Sequence, residues 1–230
     1  MKNIAIILAS GVGSRSGLNI PKQFYKIYNK TVLEYSIEAF EFNENIDEII
    51  IVANPNFIHL TEKLSKKYSK VLNVIPGGET RQQSSYNGVM LIPDKDVNVL
   101  IHDAVRPFVT QKTLNDCIEA LKQYNAINVA IESSDTILEI DENNFIKSVP
   151  NRKTIRRVQT PQCFKIDIIK KAHELAQNDT FFEPTDDCGM VLNYNLSPIF
   201  VVNGSENNIK ITYPSDLEIA EKILKNINRN

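Results

Sequence analysis

Six consecutive apolar residues, Ile4-Ala5-Ile6-Ile7-Leu8-Ala9, run straight into Ser10-Gly11-Val12-Gly13-Ser14-Arg15-Ser16-Gly17. A run this short, rich in isoleucine and without polar alternation, predicts a strand buried on both faces. Glycines after such a strand let backbone N–H groups approach an anion closely, because no Cβ intervenes. Arg15 and, seven residues on, Lys22 of Pro21-Lys22-Gln23-Phe24 place two cations on the same loop. Strand, glycine turn and paired cations outline a site for a polyphosphate. The spacing G-x-G-x-x-x-G is one residue longer than the dinucleotide fingerprint, and no Gly-Lys-Ser/Thr follows, so neither that turn nor a Walker loop is indicated.

The following segments alternate in type. The pattern predicts a helix over 31–40, with apolar residues at 32, 33, 37 and 40, then a β-branched strand over 48–53 and a lysine-rich surface helix over 56–68. A strand over 71–75 closes in Pro76-Gly77-Gly78, and Thr80 with Gln83 opens the next helix as a capping box. A strand over 97–101 ends in His102-Asp103-Ala104-Val105-Arg106-Pro107, followed by a helix over 110–124 and a strand over 127–131. Strands alternating with helices through short links predict a doubly wound α/β sheet. Ligands of such sheets sit at the carboxyl ends of the strands, where Ser10, Gly78 and Asp103 are expected to converge.

From Ser133 the pattern changes. Residues 135–140 and 145–149 flank the turn Asp141-Glu142-Asn143-Asn144 and predict a projecting β-hairpin. An isolated hairpin is marginal in water, so it is expected to pack against another subunit. Asp167 reads as the N-cap of a helix over 167–176, and strands are expected over 198–202 and 209–211. Lys210, between two isoleucines, must face a polar site or solvent. Ser215 and Glu218 open the C-terminal helix as a capping box. The whole chain, 1–230, reads as one domain, with 133–157 as an arm within it.

Composition narrows the partners. A formal charge of −2 over 230 residues gives no general basic field, so nucleic acid is not an expected partner. No apolar run is long enough to span a membrane. Cys117, Cys163 and Cys188 are widely spaced, without metal-ligand pattern, and fit reduced thiols in a cytoplasmic protein. His59 and His173 read as surface helix positions, His102 as either a strand-end structural residue or a ligand. Asp186 and Asp187 read as an N-cap with a solvated neighbour, and Cys188 as a small packing residue.

Taken together, Leu8-Ala9-Ser10-Gly11-x-Gly13-x-Arg15, Pro21-Lys22-Gln23-Phe24, Gly77-Gly78-x-x-Arg81-x-x-Ser84, His102-Asp103-Ala104-x-Arg106-Pro107, Gln159-Thr160-Pro161-Gln162 and Asn208-Ile209-Lys210-Ile211-Thr212 resemble a cytidylyltransferase family. That family includes 2-C-methyl-D-erythritol 4-phosphate cytidylyltransferase and ribitol-5-phosphate cytidylyltransferase. The resemblance implies a Rossmann-like mixed sheet and a homodimer whose hairpin arm reaches the partner's site. It implies that Leu8, Ala9, Ser10, Gly11 and Gly13 hold the nucleotide, that Gly78 and Ser84 help read base and ribose, and that Asp103 sits beside Mg²⁺. Arg15 and Lys22 would neutralise the CTP phosphates. Arg106, Thr136, Arg152, Thr160 and Thr185 would line a polyol-phosphate pocket, with Thr136 and Arg152 delivered from the other subunit, and Lys210 would orient the attacking phosphate. Ser10, Ser16 and Asn151 depart from the residues usual in the family, but no cation is lost.

The implied reaction transfers CMP from CTP to a polyol phosphate and releases pyrophosphate. A phosphate-monoester oxygen is already anionic, so cations and Mg²⁺ carry more of the task than a general base. Gly13-Ser14-Arg15-Ser16-Gly17-Leu18-Asn19-Ile20-Pro21-Lys22-Gln23-Phe24, Tyr124-Asn125-Ala126 and Ser148-Val149-Pro150-x-Arg152 resemble the ribitol 5-phosphate branch of teichoic-acid and capsule synthesis, toward which the reading leans. Arg157-Val158-Gln159-Thr160-Pro161-Gln162 and Thr185-Asp186-Asp187 also suit the methylerythritol branch of isoprenoid synthesis. A glycosyltransferase would want an Asp-x-Asp motif where His102-Asp103-Ala104 stands. A dehydrogenase would want an acidic residue where Val52-Ala53-Asn54 ends its strand.

Overall fold

The computed structural model describes residues 1–12, 20–93 and 96–227. Strand β1 (Lys2–Ala9) leads through a 3₁₀ turn at Lys22–Phe24 and two short strands, β2 (Lys26–Ile27) and β3 (Lys30–Thr31), to helix α1 (Val32–Glu41). Then come β4 (Glu48–Ala53), α2 (Ile58–Ser65), β5 (Val71–Pro76), α3 (Arg81–Met90), β6 (Val97–Asp103), α4 (Gln111–Ala120) and β7 (Ala126–Glu132). The arm holds β8 (Glu139–Ile140) and β9 (Ile146–Ser148), and the chain returns through β10 (Arg156–Lys165). It ends with α5 (Ile166–Gln177), α6 (Asp187–Asn193), β11 (Phe200–Asn203) and α7 (Ser215–Ile227).

Seven strands form one sheet in the order β11-β7-β10-β6-β1-β4-β5. All neighbours are parallel except β10, which runs antiparallel to both β6 and β7. The expected doubly wound mixed sheet is therefore present. Ile4, Ile6 and Leu8 of β1 pack into one core with Val89 of α3 and Ile169 of α5. Ala5, Ile7 and Ala9 pack into another with Leu33, Ile37 and Phe40 of α1 and Leu114 of α4. Burial on both faces is why this strand carries no alternation. Sequence order runs one way from β1 to β5 and the other way from β6, so the topological switch point lies between β1 and β6, where Leu8 pairs with Asp103.

Several boundaries differ from expectation. The 56–68 segment splits into a 3₁₀ turn at Pro55–Phe57 and the shorter α2, because Asn54 caps Asn56 N–H and Pro55 follows it. Asp167 is inside the first turn of α5, whose N-cap is Lys165. Residues 209–211 are not a strand; Ile211 N–H instead donates to Val105 O at 2.9 Å. Ser215 begins α7, and Asp216 rather than Ser215 takes up neighbouring amides, accepting from Thr212 and Tyr213 N–H at 2.7 and 2.8 Å. In the arm, ladder pairing is confined to β8 and β9, with Asp141 closing the turn through Asn143 and Phe145 N–H.

Candidate active site

A cavity of about 460 Å³ opens at the carboxyl ends of β1, β4, β5 and β6. Leu8, Ala9, Ser10, Gly11 and Val12 border it from the end of β1, and Gly78, Glu79, Thr80 and Arg81 from the turn after β5. Lys22, Gln23, Asn54, Asp103, Val105 and Lys210 complete the wall. The three strand ends expected to converge do so. Gly13 and Arg15 lie outside the described residues.

Two glycine turns are fastened to each other beneath this cavity. Ser84, fully buried near the start of α3, shares a hydrogen bond of 2.7 Å with Ser10 Oγ, accepts Gly78 N–H at 3.1 Å and donates to Thr80 O at 2.9 Å. Ser84 thus ties the loops that border the cavity rather than bordering it. A Cβ on Gly77 would collide with Cβ of Ser10, so this close approach of the two turns requires glycine. Thr80 caps α3 through Gln83 N–H at 3.0 Å, while the Gln83 side chain reaches Glu79 N–H, one residue earlier than a capping box would have it.

Charge on the wall is organised around Asp103. Its Oδ2 accepts from Lys210 Nζ at 2.7 Å and its Oδ1 from Arg81 Nε at 3.2 Å. Burial alone raises the Asp103 carboxyl, but Arg81 and Lys210 outweigh it and hold the group well below the usual carboxylate range. Arg81 is itself anchored: its Nη1 donates at 2.7 Å to Asp187, a fully buried carboxylate that also accepts from Ser85 Oγ at 2.5 Å. Burial opposes ionisation of Asp187 too, and Arg81 again prevails, keeping it charged. His173 Nε2 lies 3.5 Å from the same carboxylate. Asp187 is therefore no solvated neighbour and His173 no surface residue. Asp186 does cap α6, through Gly189 N–H at 2.7 Å, His59 is exposed, and Cys188 is a buried packing residue.

The acceptor-side residues divide. Arg106 lies half-buried, donating to Asn208 O at 2.9 Å and Val158 O at 3.3 Å, with Nε unpartnered. Thr160 is buried; its hydroxyl donates to His102 Nδ1 at 2.9 Å and accepts Asp103 N–H at 3.1 Å, so it braces the strand end that carries Asp103. Thr136, Arg152 and Thr185 are exposed and outside the lining of the cavity; Arg152 Nη1 donates to Ser134 O at 3.1 Å. Gln23, Asn54 and Arg81 enter the site with no role assigned from sequence. Asn54 had a readable sign, a polar residue directly after a buried strand, as Ser10 is.

The family model for 2-C-methyl-D-erythritol 4-phosphate cytidylyltransferase (IspD) matches residues 3–226. The enzyme of that name from Thermobifida fusca is 39% identical over 230 positions, covering 96% of this chain and 92% of the relative. The one from Clostridium novyi is 40% identical and covers 98% of each. A bifunctional ribulose 5-phosphate reductase/CDP-ribitol pyrophosphorylase of Haemophilus influenzae is 42% identical over 231 positions, and this chain spans 48% of its length. Among solved structures, 4-diphosphocytidyl-2C-methyl-D-erythritol synthase from Anaerococcus prevotii matches with a TM-score of 0.88 at 29% identity, covering 97% of this chain and 96% of that one. The lean toward the ribitol branch is not favoured, since the relatives matched end to end carry the methylerythritol name. This chain belongs to the 2-C-methyl-D-erythritol 4-phosphate cytidylyltransferase family and is a CTP-dependent cytidylyltransferase.

Proposed function

We propose that the chain transfers CMP from CTP to 2-C-methyl-D-erythritol 4-phosphate, a step of isoprenoid synthesis. The observation carrying this acceptor is the end-to-end match, at 98% coverage both ways, with a relative of that name. An anionic oxygen of the acceptor's phosphate attacks the α-phosphorus of CTP, and the bond to the bridging oxygen breaks, so pyrophosphate leaves with the electron pair. Two polyanions must meet, and Lys22 and Lys210 on the cavity wall supply the opposing charge. His102, buried and hydrogen-bonded at both nitrogens, offers no general base, and the reaction needs none.

Among the described residues no three His, Cys, Asp or Glu side chains gather into a metal cage. Asp103, a carboxylate on the cavity wall, fits Mg²⁺ held by one carboxylate together with substrate phosphates. When bound, the ion would neutralise phosphate charge, with Asp103 as its protein holder. For the hairpin we propose a second copy of this chain as partner: Ile137, Leu138, Ile140, Phe145, Ile146 and Val149 are 42% to 71% exposed.

Ribitol 5-phosphate is the second reading, favoured by the 42% identity with the Haemophilus influenzae protein. Pyrophosphate release with CTP and Mg²⁺, each acceptor at equal concentration, decides. Preference for the methylerythritol phosphate is expected; preference for ribitol 5-phosphate overturns the proposed acceptor, and release with neither overturns both.

A further inference from the structure

The ladder of β1 stops at Leu8 on the β6 side and at Ala9 on the β4 side. The next carbonyls are nonetheless all engaged. Gln23 Nε2 donates to Ala9 O at 2.8 Å and Gly11 O at 2.9 Å, and Asn54 Nδ2 donates to Ser10 O at 2.9 Å. Both amides are buried, at 2% and 4% exposure, and each comes from a different segment. Side chains from two segments thus hold three successive carbonyls just past the end of β1.

A trans peptide is planar, with its N–H opposed to its carbonyl, so holding the carbonyl of one residue fixes the N–H direction of the next. The three bonds therefore set the N–H groups of Ser10, Gly11 and Val12, all on the cavity wall. We propose that Gln23 and Asn54 are the positioning residues of the nucleotide loop, holding these three peptide planes in the CTP-binding orientation before CTP arrives. The inference rests on reading the cavity as the CTP site. A glycine-containing loop left unheld would have to be ordered by its ligand, and that cost would appear as weaker binding.

The two residues differ in one respect. Gln23 adjoins Lys22, so its bonds also tie the backbone of a wall cation to the loop, whereas Asn54 adjoins no such cation. Gln23 is expected to affect both nucleotide binding and turnover, and Asn54 nucleotide binding alone.

Gln23→Glu and Asn54→Asp keep side-chain shape and remove the amide donors; Asn54→Asp also keeps the Oδ1 that accepts Asn56 N–H at 2.9 Å. Calorimetric titration with CTP, steady-state kinetics in both substrates and thermal unfolding of the free proteins form the test. Asn54→Asp is expected to weaken CTP binding and raise KM for CTP about tenfold, with kcat within about twofold of wild type, the scale of losing one hydrogen bond and leaving its acceptor unsatisfied. Gln23→Glu is expected to raise KM for CTP and lower kcat, each by about tenfold. KM for the acceptor should stay unchanged in both. Should Gln23→Glu fail to fold, Gln23→Met keeps the length without the donors and is read the same way. Folded variants that bind CTP as the wild type does overturn the inference, as do variants that lose thermal stability in step with activity. Wild-type protein that binds no CTP overturns the site reading, and this inference with it.

Discussion

His102 illustrates how neighbours settle what a titratable residue does. Its Nε2–H donates to Arg106 O at 3.0 Å and its Nδ1 accepts from Thr160 Oγ1. Burial is the main force lowering its pKa, from 6.5 to about 4, so the ring is neutral in the folded protein at neutral pH. An unfolded chain protonates the same ring near the ordinary value. Between those two values the unfolded state binds a proton that the folded state refuses, so stability must rise with pH across this window. The displacement corresponds to at most about 3 kcal/mol. Denaturant unfolding of wild type and His102→Gln at pH 7 and pH 4.5 tests this: the wild type should lose more stability on acidification than the variant. Equal losses would show that another group carries the acid sensitivity.

At the scale of elements, α3 carries Arg81, Ser84 and Ser85 toward the site, and its seating depends on Gly88. A Cβ there would meet Ile6 Cγ2 at 2.7 Å and Val52 Cγ2 at 3.0 Å, both core atoms of the sheet. Overpacking of this kind costs about 1–3 kcal/mol, against about 1 kcal/mol gained by replacing a helical glycine with alanine. Gly88→Ala should therefore destabilise by roughly 1 kcal/mol, read as a Tm lowered by a few degrees; an unchanged or raised Tm would mean that α3 can shift outward freely. The elements that sequence makes plain are those, like β1 from Ile4 onward and β4 from Ile49 onward, whose apolar residues go to the core on both faces. β10 is the opposite case. Gln159 holds Ser205 O, Gln162 holds Asp186 and the Asp187 N–H, Thr160 braces His102, and Pro161 falls where the register with β7 shifts. A strand spent on such contacts has no hydrophobic period, and a proline at an irregularity costs no ladder bond. His173 and Asp187 were equally hidden, because the groups that make their burial tolerable, Ser85 and Arg81, lie 88 to 106 residues away in sequence.

Across the whole molecule, the converging strand ends supply a cavity bordered by two glycine turns and by the cations Lys22 and Lys210, but not by the arm residues Thr136 and Arg152. A single chain with an exposed apolar hairpin and an arginine outside its own site is what a shared site between two copies would leave behind. Sharing makes a quantitative demand. Lys210→Ala and Arg152→Ala should each lower kcat by about 10²–10³ as homodimers, the usual scale for removing an electrostatic stabiliser. In a mixed dimer, one site would pair an intact Lys210 with an intact Arg152 from the other copy, and the second site would lack both. Random reassociation of equal amounts makes half the dimers mixed, each with one working site of two, so about a quarter of wild-type activity should return. Co-refolding the two variants and measuring pyrophosphate release provides the number. Recovery near that fraction requires Arg152 to act across the dimer. A mixture no more active than its components would mean that Lys210 and Arg152 serve the same site from the same chain, and that the arm folds back or serves another purpose.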